Sequence, residues 1–198
     1  MTSFDLSYDY RCPFAKNIHL HVLAALDAGA DFAVNFVPWT MSQGYRREGA
    51  PDVWDDPTYD QDLLALAVSV TIRDAQPHCF LAAHGALFRA RHHHAVRLVT
   101  MEEIGAVLEP VGVNMDQVRA DVASRRPHAV LKESFEAFER YEAFGVPTFV
   151  VNHEATFVRY MTEPTSDGVA SREVIGALVA LMERRPDLNE FKHTQVSN

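Results

Sequence analysis

Cysteine is scarce in this sequence, which contains only two among its 198 residues. Cys12 and Cys79 lie far apart, and neither belongs to a spacing that binds a metal ion. A disulfide scaffold needs several paired cysteines in a short chain, and a zinc knuckle needs closely spaced pairs. Neither class is supported, so each cysteine is either an inert core residue or a catalytic one.

Long apolar runs and an excess of positive charge are also absent. No stretch approaches the roughly 18 consecutive apolar residues that a membrane-spanning helix needs. Lysine and arginine number 18 against 27 acidic residues, which gives a formal net charge of −9. Binding to a phosphate backbone needs a surplus of lysine and arginine. We therefore predict neither a membrane nor a nucleic-acid partner.

The start of the chain lacks the basic and apolar regions of a secretory signal, so we expect a cytoplasmic protein with reduced thiols. A hydrophobic fraction of 47% with 23% charged residues is typical of a globular protein. The length fits one sizeable domain and leaves room for a small second subdomain.

The spacing of apolar residues predicts a β-α-β unit, a block of helices and a β-β-α unit. Alternation predicts strands over 4–10 and 33–37, and helical spacing that stops at Gly29 predicts a helix over 15–28. The remaining predicted elements are helices over 59–76, 78–91, 100–109, 115–124 and 128–144, a hairpin with a three-residue turn at 152–154, and a helix over 171–184. The polar tail over 186–198 has little to bury, which favours an extended arm or disorder.

The two strand-containing units together predict one four-stranded sheet flanked by helices. The helical block then forms an insertion that packs over one end of the sheet. We predict an α/β fold in which residues 1–58 and 145–198 form a discontinuous sheet domain. Residues 59–144 form the helical insertion.

Cys12 directly precedes Pro13, a residue that favours the first position of a helix. Free backbone amides and the helix dipole stabilise a thiolate at such a position, and they lower a cysteine pKa from ~8.5 into the range ~3.5–7.5. Arg11 and Lys16 would add to this effect. We therefore expect a reactive thiolate, the alternative being a small apolar residue at a strand–helix junction.

A second motif, Gly145-Val146-Pro147-Thr148, opens the late hairpin. With the Cys-Pro-Phe motif after the first strand and helices between the two, the chain resembles the DsbA-like branch of the thioredoxin superfamily over nearly its whole length. The resemblance implies a thioredoxin-like sheet and a cis proline at Pro147 beside the catalytic cysteine. A cis bond before proline costs little, and it would leave the Val146 backbone free to pair with an extended substrate. The alternative for Pro147 is an ordinary proline at the start of a strand.

The sequence departs from the family at Ala15, which stands where the Cys-x-x-Cys motif has its second cysteine. A single nucleophilic cysteine can still exchange disulfides through a mixed disulfide. The resemblance therefore implies a thiol-disulfide oxidoreductase that acts by a monothiol mechanism through Cys12. Cys79 is predicted to be buried on a helix face, too far away to replace the missing thiol.

The predicted co-substrate is mycothiol or glutathione, with no tightly bound cofactor. Two other functions stay open. One is a glutathione- or mycothiol-dependent transferase or isomerase, similar to kappa-class glutathione transferases and hydroxychromene-carboxylate isomerases. The other is a redox-inactive protein that binds a ligand or peptide. Predicted partners are a small thiol or disulfide substrate, a peptide, and a second copy of the chain in a homodimer.

The candidate substrate-binding residues surround Cys12, the catalytic candidate. They are Pro13, Phe14, Ala15, Trp39, Val146, Pro147 and Thr148. Asp9 is a candidate for proton transfer, although an aspartate at this place more often ends a strand. No metal site is predicted. The three adjacent histidines His92, His93 and His94 point about 100° apart on a helix, so they cannot all face one metal ion.

Overall fold

The computed structural model describes residues 2–165, 167–193 and 195, so the end of the predicted tail, at 194 and 196–198, lies outside the described residues. The strands are β1 (Thr2–Tyr8), β2 (Phe32–Pro38), β3 (Thr148–Val151) and β4 (Glu154–Phe157). The helices are α1 (Pro13–Asp27), α2 (Met41–Gly44), α3 (Asp60–Ala75), α4 (Pro77–His93), α5 (Met101–Leu108), α6 (Met115–Ala123), α7 (Arg126–Glu139) and α8 (Gly168–Arg184). Short 3₁₀ turns cover Pro57–Tyr59 and Glu109–Val111.

The four strands form one mixed sheet in the order β2-β1-β3-β4. β1 pairs in parallel with β2, with Phe4 opposite Val34, and antiparallel with β3, with Leu6 opposite Phe149. Since β3 runs against β1, the residues just before β3 lie at the same edge as the residues just after β1. This topology brings the Cys-Pro and Val-Pro motifs together.

The predicted α/β class, with a four-stranded sheet and inserted helices, is confirmed. Most predicted elements lie within a few residues of their observed bounds. Thr100 caps α5 by accepting a hydrogen bond from the Glu103 N–H at 3.2 Å. Within the part of the chain that the structure describes, no helix is long and apolar enough to span a bilayer.

Two local predictions are wrong. The hairpin turn has two residues, Asn152 and His153, with φ of 51° and 67°, because a turn of this left-handed kind matches the twist of the paired strands. The helix predicted over 128–144 begins at Arg126 and ends at Glu139. Pro127 lies inside its first turn, where the missing proline N–H has no helical acceptor to lose.

A chain of buried polar side chains joins the sheet to the helical block. His19 Nε2 lies 3.1 Å from the Ser7 carbonyl oxygen, and His84 Nε2 lies 2.8 Å from His19 Nδ1. On the other side of His84, Nδ1 lies 2.8 Å from the Tyr10 hydroxyl, which is itself 2.8 Å from Ser69 Oγ. A carbonyl oxygen only accepts, so neutral His19 carries its proton on Nε2, and His84 Nε2 donates to His19.

Candidate active site

Cys12 is the N-cap residue of α1, and Pro13 is the first residue of that helix. The backbone of Cys12 is extended, with φ −87° and ψ 119°, and its N–H donates to the Asp9 carbonyl at 3.0 Å. This turn directs the side chain back over the helix end, where the Ala15 N–H lies 3.5 Å from Cys12 Sγ. The predicted position of Cys12 at a helix N-terminus is confirmed.

The Cys12 thiol meets the loop that precedes β3. Its Sγ donates a hydrogen bond to the Val146 carbonyl oxygen at 3.1 Å, and the Val146–Pro147 peptide bond is cis. The Val146 N–H has no hydrogen-bond acceptor among the residues that the structure describes. This arrangement leaves one backbone donor of the loop before β3 available to a substrate.

The expectation of a lowered cysteine pKa is wrong in this structure. Cys12 is only 6% exposed, and this burial raises the pKa of its thiol above the ordinary value. The Ala15 and Phe14 amides lower the pKa but do not offset burial, and the Asp9 carboxylate raises it further. At neutral pH the resting side chain is a protonated thiol.

The two cations nearest to Cys12 in the sequence are neutralised by carboxylates. Arg11 forms ion pairs with Asp9 at 2.6 Å and with Asp62 at 2.9 Å. Lys16 pairs with Glu163, which lies beyond the last strand. The positive charges of Arg11 and Lys16 are therefore compensated by carboxylates, so they do little to stabilise a Cys12 thiolate.

Asp9 lies in the loop between β1 and α1 and is buried, with 1% of its surface exposed. Its carboxylate accepts hydrogen bonds from the Arg11 backbone, from the Arg11 guanidinium at 2.6 and 3.0 Å, and from the Met41 N–H at 2.9 Å. The carboxylate thus fixes the loop beside Cys12 and joins it to α2. A role in proton transfer stays a prediction.

Trp39 and Thr148 do not line the surface, which corrects two of the candidate substrate contacts. Trp39 is 1% exposed and stacks on Phe135 with ring centroids 5.1 Å apart, because the chain turns inward after β2. Thr148 is 2% exposed, and its hydroxyl donates to the Gly145 carbonyl at 2.7 Å. Both side chains therefore stabilise the site from the protein interior and do not contact a bound substrate.

The remaining candidates divide between surface and interior. Pro13 is exposed and Phe14 is half-buried, with the Arg159 guanidinium 5.7 Å from the centre of its ring. The side chains of Ala15, Val146 and Pro147 are buried, so they are available to a substrate only through the backbone. Pro13 and Phe14 thus form one accessible wall beside the sulfur.

Tyr45 is a residue of the site that the sequence did not indicate. It is 64% exposed, and its hydroxyl donates to the Phe144 carbonyl at 3.3 Å, which places the ring beside the loop before Pro147. Partial burial raises the pKa of Tyr45, and the nearby Cys12 raises it further. Its position depends on the short α2, in a segment that the sequence analysis left without predicted elements.

Neither Cys79 nor the histidine run contributes to the site. Cys79 is 5% exposed, is a free thiol like Cys12, and contacts the Val111 and Gly112 carbonyls at 4.0 Å. His92 Nε2 lies 2.8 Å from the Tyr10 carbonyl, whereas His93 Nε2 lies 2.8 Å from Glu163. No group of three metal-binding side chains occurs in the described part of the chain.

Comparisons with known proteins agree with this geometry. The model of the DSBA-like thioredoxin domain matches residues 4–163. A search of curated proteins returns no significant match.

Three solved structures show the same fold. Cytosolic disulfide reductase DsbM from Pseudomonas aeruginosa with GSH has a TM-score of 0.62 at 14% identity, over 90% of this chain and 100% of that chain. Pseudomonas aeruginosa DsbA has a TM-score of 0.59 at 17% identity, over 93% and 84%. MdbA from Actinomyces oris, a thiol-disulfide oxidoreductase, has a TM-score of 0.60 at 19% identity, over 83% and 77%.

Proposed function

The chain belongs to the DsbA-like thioredoxin domain family, and on this premise we propose that it is a thiol-disulfide oxidoreductase whose single nucleophile is Cys12. The observation that carries the proposal is the contact between Cys12 Sγ and the Val146 carbonyl, 3.1 Å apart across a cis Val146–Pro147 bond. A sulfur at a helix end, beside a loop residue whose N–H has no acceptor among the described residues, is arranged to exchange with a disulfide that pairs with that backbone.

The proposed reaction has two exchange steps. The Cys12 thiolate attacks one sulfur of a disulfide, the S–S bond breaks, and the second sulfur leaves as a thiolate that takes up a proton. A small thiolate then attacks the mixed disulfide, which regenerates the Cys12 thiolate and releases a new disulfide. Because Ala15 replaces a resolving cysteine, the second thiol comes from solution.

A low-molecular-weight thiol supports this scheme better than a second protein cysteine. Cys79 is buried in α4 and is not presented to the site. The DsbM structure is that of a cytosolic disulfide reductase with GSH, and it shares the fold of this chain. We therefore propose a cytoplasmic reaction with glutathione or mycothiol. Peptide substrates and a homodimer stay predictions.

One observation favours a second candidate function. The Cys12 thiol is protonated at rest and already donates a hydrogen bond. A neutral thiol of this kind can hold the sulfur of a bound small thiol without redox turnover. This arrangement suits a glutathione- or mycothiol-dependent transferase or isomerase.

Mass spectrometry of the intact protein separates the two candidates. Incubation with glutathione disulfide or mycothiol disulfide at pH 8 should add one thiol to Cys12, and reduced thiol should remove it. Cys12→Ser should take up none, and the control Cys79→Ser should react like the unaltered protein. Absence of an adduct at any pH up to 9.5, with binding of the reduced thiol retained, would favour the second candidate.

A further inference from the structure

A small cavity lies beside the loop that leads into Cys12. Its volume is about 160 Å³, and its walls come from the loop over 9–11, the start of α3, the end of α4 and the segment 97–99. Three arginines line it, namely Arg11, Arg91 and Arg97. We propose that this cavity is a carboxylate subsite that selects an acidic small thiol, an inference that rests on the proposed function.

The charge of the cavity comes from two arginines that are free to bind a ligand. Arg11 is held by Asp9 and Asp62, which also line the cavity, so these three groups together carry one net negative charge that Arg91 and Arg97 outweigh by one. Arg91 and Arg97 have no carboxylate or hydrogen-bond partner among the described residues. A guanidinium matches a carboxylate through two parallel hydrogen bonds, so this pair suits an anion.

The segment that carries Arg97 is held in an unusual backbone conformation. Ala95 and Leu98 have φ of 54° and 60°, a left-handed region that costs conformational energy for residues other than glycine. The Val96 N–H donates to the Ala90 carbonyl at 3.0 Å, and Leu98 is 3% exposed, so both sides of the segment are anchored. These contacts keep Arg97 at the cavity mouth.

The loop over 9–11, which leads into Cys12, forms one wall of the cavity. Arg11 immediately precedes Cys12, and consecutive Cα atoms are ~3.8 Å apart. His92, next to Arg91, lies 2.8 Å from the Tyr10 carbonyl and ties the end of α4 to this loop. The thiol of glutathione is on the middle residue, so about two residues of extended chain, roughly 7 Å, separate the sulfur-bearing residue from a carboxylate, and the subsite requires that chain to run from Cys12 along the loop over 9–11 into the cavity.

This arrangement distinguishes between the two small thiols proposed above. Glutathione is a tripeptide with a carboxylate at each end, whereas mycothiol is an uncharged amino sugar conjugate. Arg91 and Arg97 provide attraction only to the first. The subsite therefore predicts a glutathione-like acidic thiol as co-substrate.

The test measures by mass spectrometry, without any second thiol, the rate constant at which reduced Cys12 forms a mixed disulfide with glutathione disulfide and with 2-hydroxyethyl disulfide, which is neutral. The double variant Arg91→Gln/Arg97→Gln should lower the rate constant with glutathione disulfide by roughly tenfold or more, as expected for the loss of hydrogen bonds to a charged group. It should leave the reaction with the neutral disulfide unchanged. Arg89→Gln, an exposed arginine of the same helix outside the cavity, is the matched control and should change neither.

A binding measurement keeps the inference independent of turnover. Titration of Cys12→Ser with S-methylglutathione measures the affinity of the subsite without any exchange reaction. Adding Arg91→Gln/Arg97→Gln should weaken this affinity by roughly tenfold or more. Unchanged binding, or an equal loss of activity with both disulfides, would overturn the subsite. If instead the unaltered protein turned over neither disulfide and formed no adduct at Cys12 while still binding S-methylglutathione, the redox function would fail and the subsite would stand.

Discussion

Cys12 and Val146 are 134 positions apart in the chain, yet the thiol of the first donates to the carbonyl oxygen of the second at 3.1 Å. A thiolate has no proton to donate, so ionisation of Cys12 breaks this bond and places a negative charge beside a carbonyl oxygen. The contact therefore favours the neutral thiol, in the same direction as burial of the sulfur. Substrate binding has to replace this contact before exchange begins.

The first prediction concerns the pH dependence of Cys12 reactivity. Because the pKa of its thiol is raised, alkylation by iodoacetamide should be slow at pH 7 and should keep rising above pH ~8.5, the ordinary value for a cysteine. The measurement uses Cys79→Ala so that only one thiol reports. A rate that is already maximal at pH 7 would show that the resting side chain is a thiolate.

The second prediction is that Asp9→Asn lowers the pKa of Cys12. The substitution removes a negative charge that raises this pKa, and it leaves Arg11 only partly compensated, so both changes favour the thiolate. The reactivity profile of the first experiment should move to lower pH.

The same substitution also has a structural cost. It breaks a largely buried ion pair, so the free energy of unfolding should fall by about 3 kcal/mol. Asp187→Asn, at an exposed carboxylate, is the control for both measurements. A profile that stays in place or moves to higher pH would mean that Asp9 does not act on the sulfur through its charge.

Local patterns in the sequence were sufficient to predict the element order. Strand alternation, helical spacing and the Cys12-Pro13 pair each depend on neighbouring residues, and β-α-β followed by β-β-α leaves few arrangements of one sheet. The resemblance then placed Pro147 beside the cysteine.

The electrostatic state of the site was not predictable in the same way. It depends on Asp62 and Glu163, which neutralise Arg11 and Lys16 from distant parts of the chain. Spacing carries no information about such pairs. Trp39 was misjudged and Tyr45 was missed for a similar reason, because the irregular segment that holds them decides which ring is buried and which is exposed.

The third prediction concerns the buried imidazole pair. Burial lowers the pKa of His19 to about 3, from the ordinary 6.5 of an unfolded chain. Between these values the unfolded chain binds a proton that the folded chain does not, so stability is present above pH 6.5 and falls as the pH drops towards 3.

The slope of the unfolding free energy against pH measures the contribution of His19. Each buried neutral histidine contributes at most about 1.4 kcal/mol per pH unit to the slope of unfolding free energy. His19→Gln should reduce the slope between pH 6 and 4 by about that amount. His153→Gln, in the exposed hairpin turn, should leave it unchanged. Equal slopes for both variants would show that His19 titrates normally in the folded protein.

The last prediction tests how the sheet supports the loop before Pro147. Ser7 is fully buried in β1, and its Oγ accepts a hydrogen bond from the Thr148 N–H at 2.8 Å. Ser7→Ala leaves this N–H buried without that acceptor, which should cost about 1–3 kcal/mol of unfolding free energy. Ser3→Ala, at an exposed position of the same strand, should cost nothing measurable.

Stability alone would not link Ser7 to the chemistry of the site. Thr148 follows the cis Val146–Pro147 bond, so a looser Thr148 lets the Val146 carbonyl move away from Cys12 Sγ. Loss of this acceptor removes a contact that favours the neutral thiol, and the alkylation profile of Ser7→Ala should therefore move to lower pH in a Cys79→Ala background. A destabilised variant whose profile coincides with that of Ser3→Ala would show that β1 supports the fold without setting the state of the sulfur.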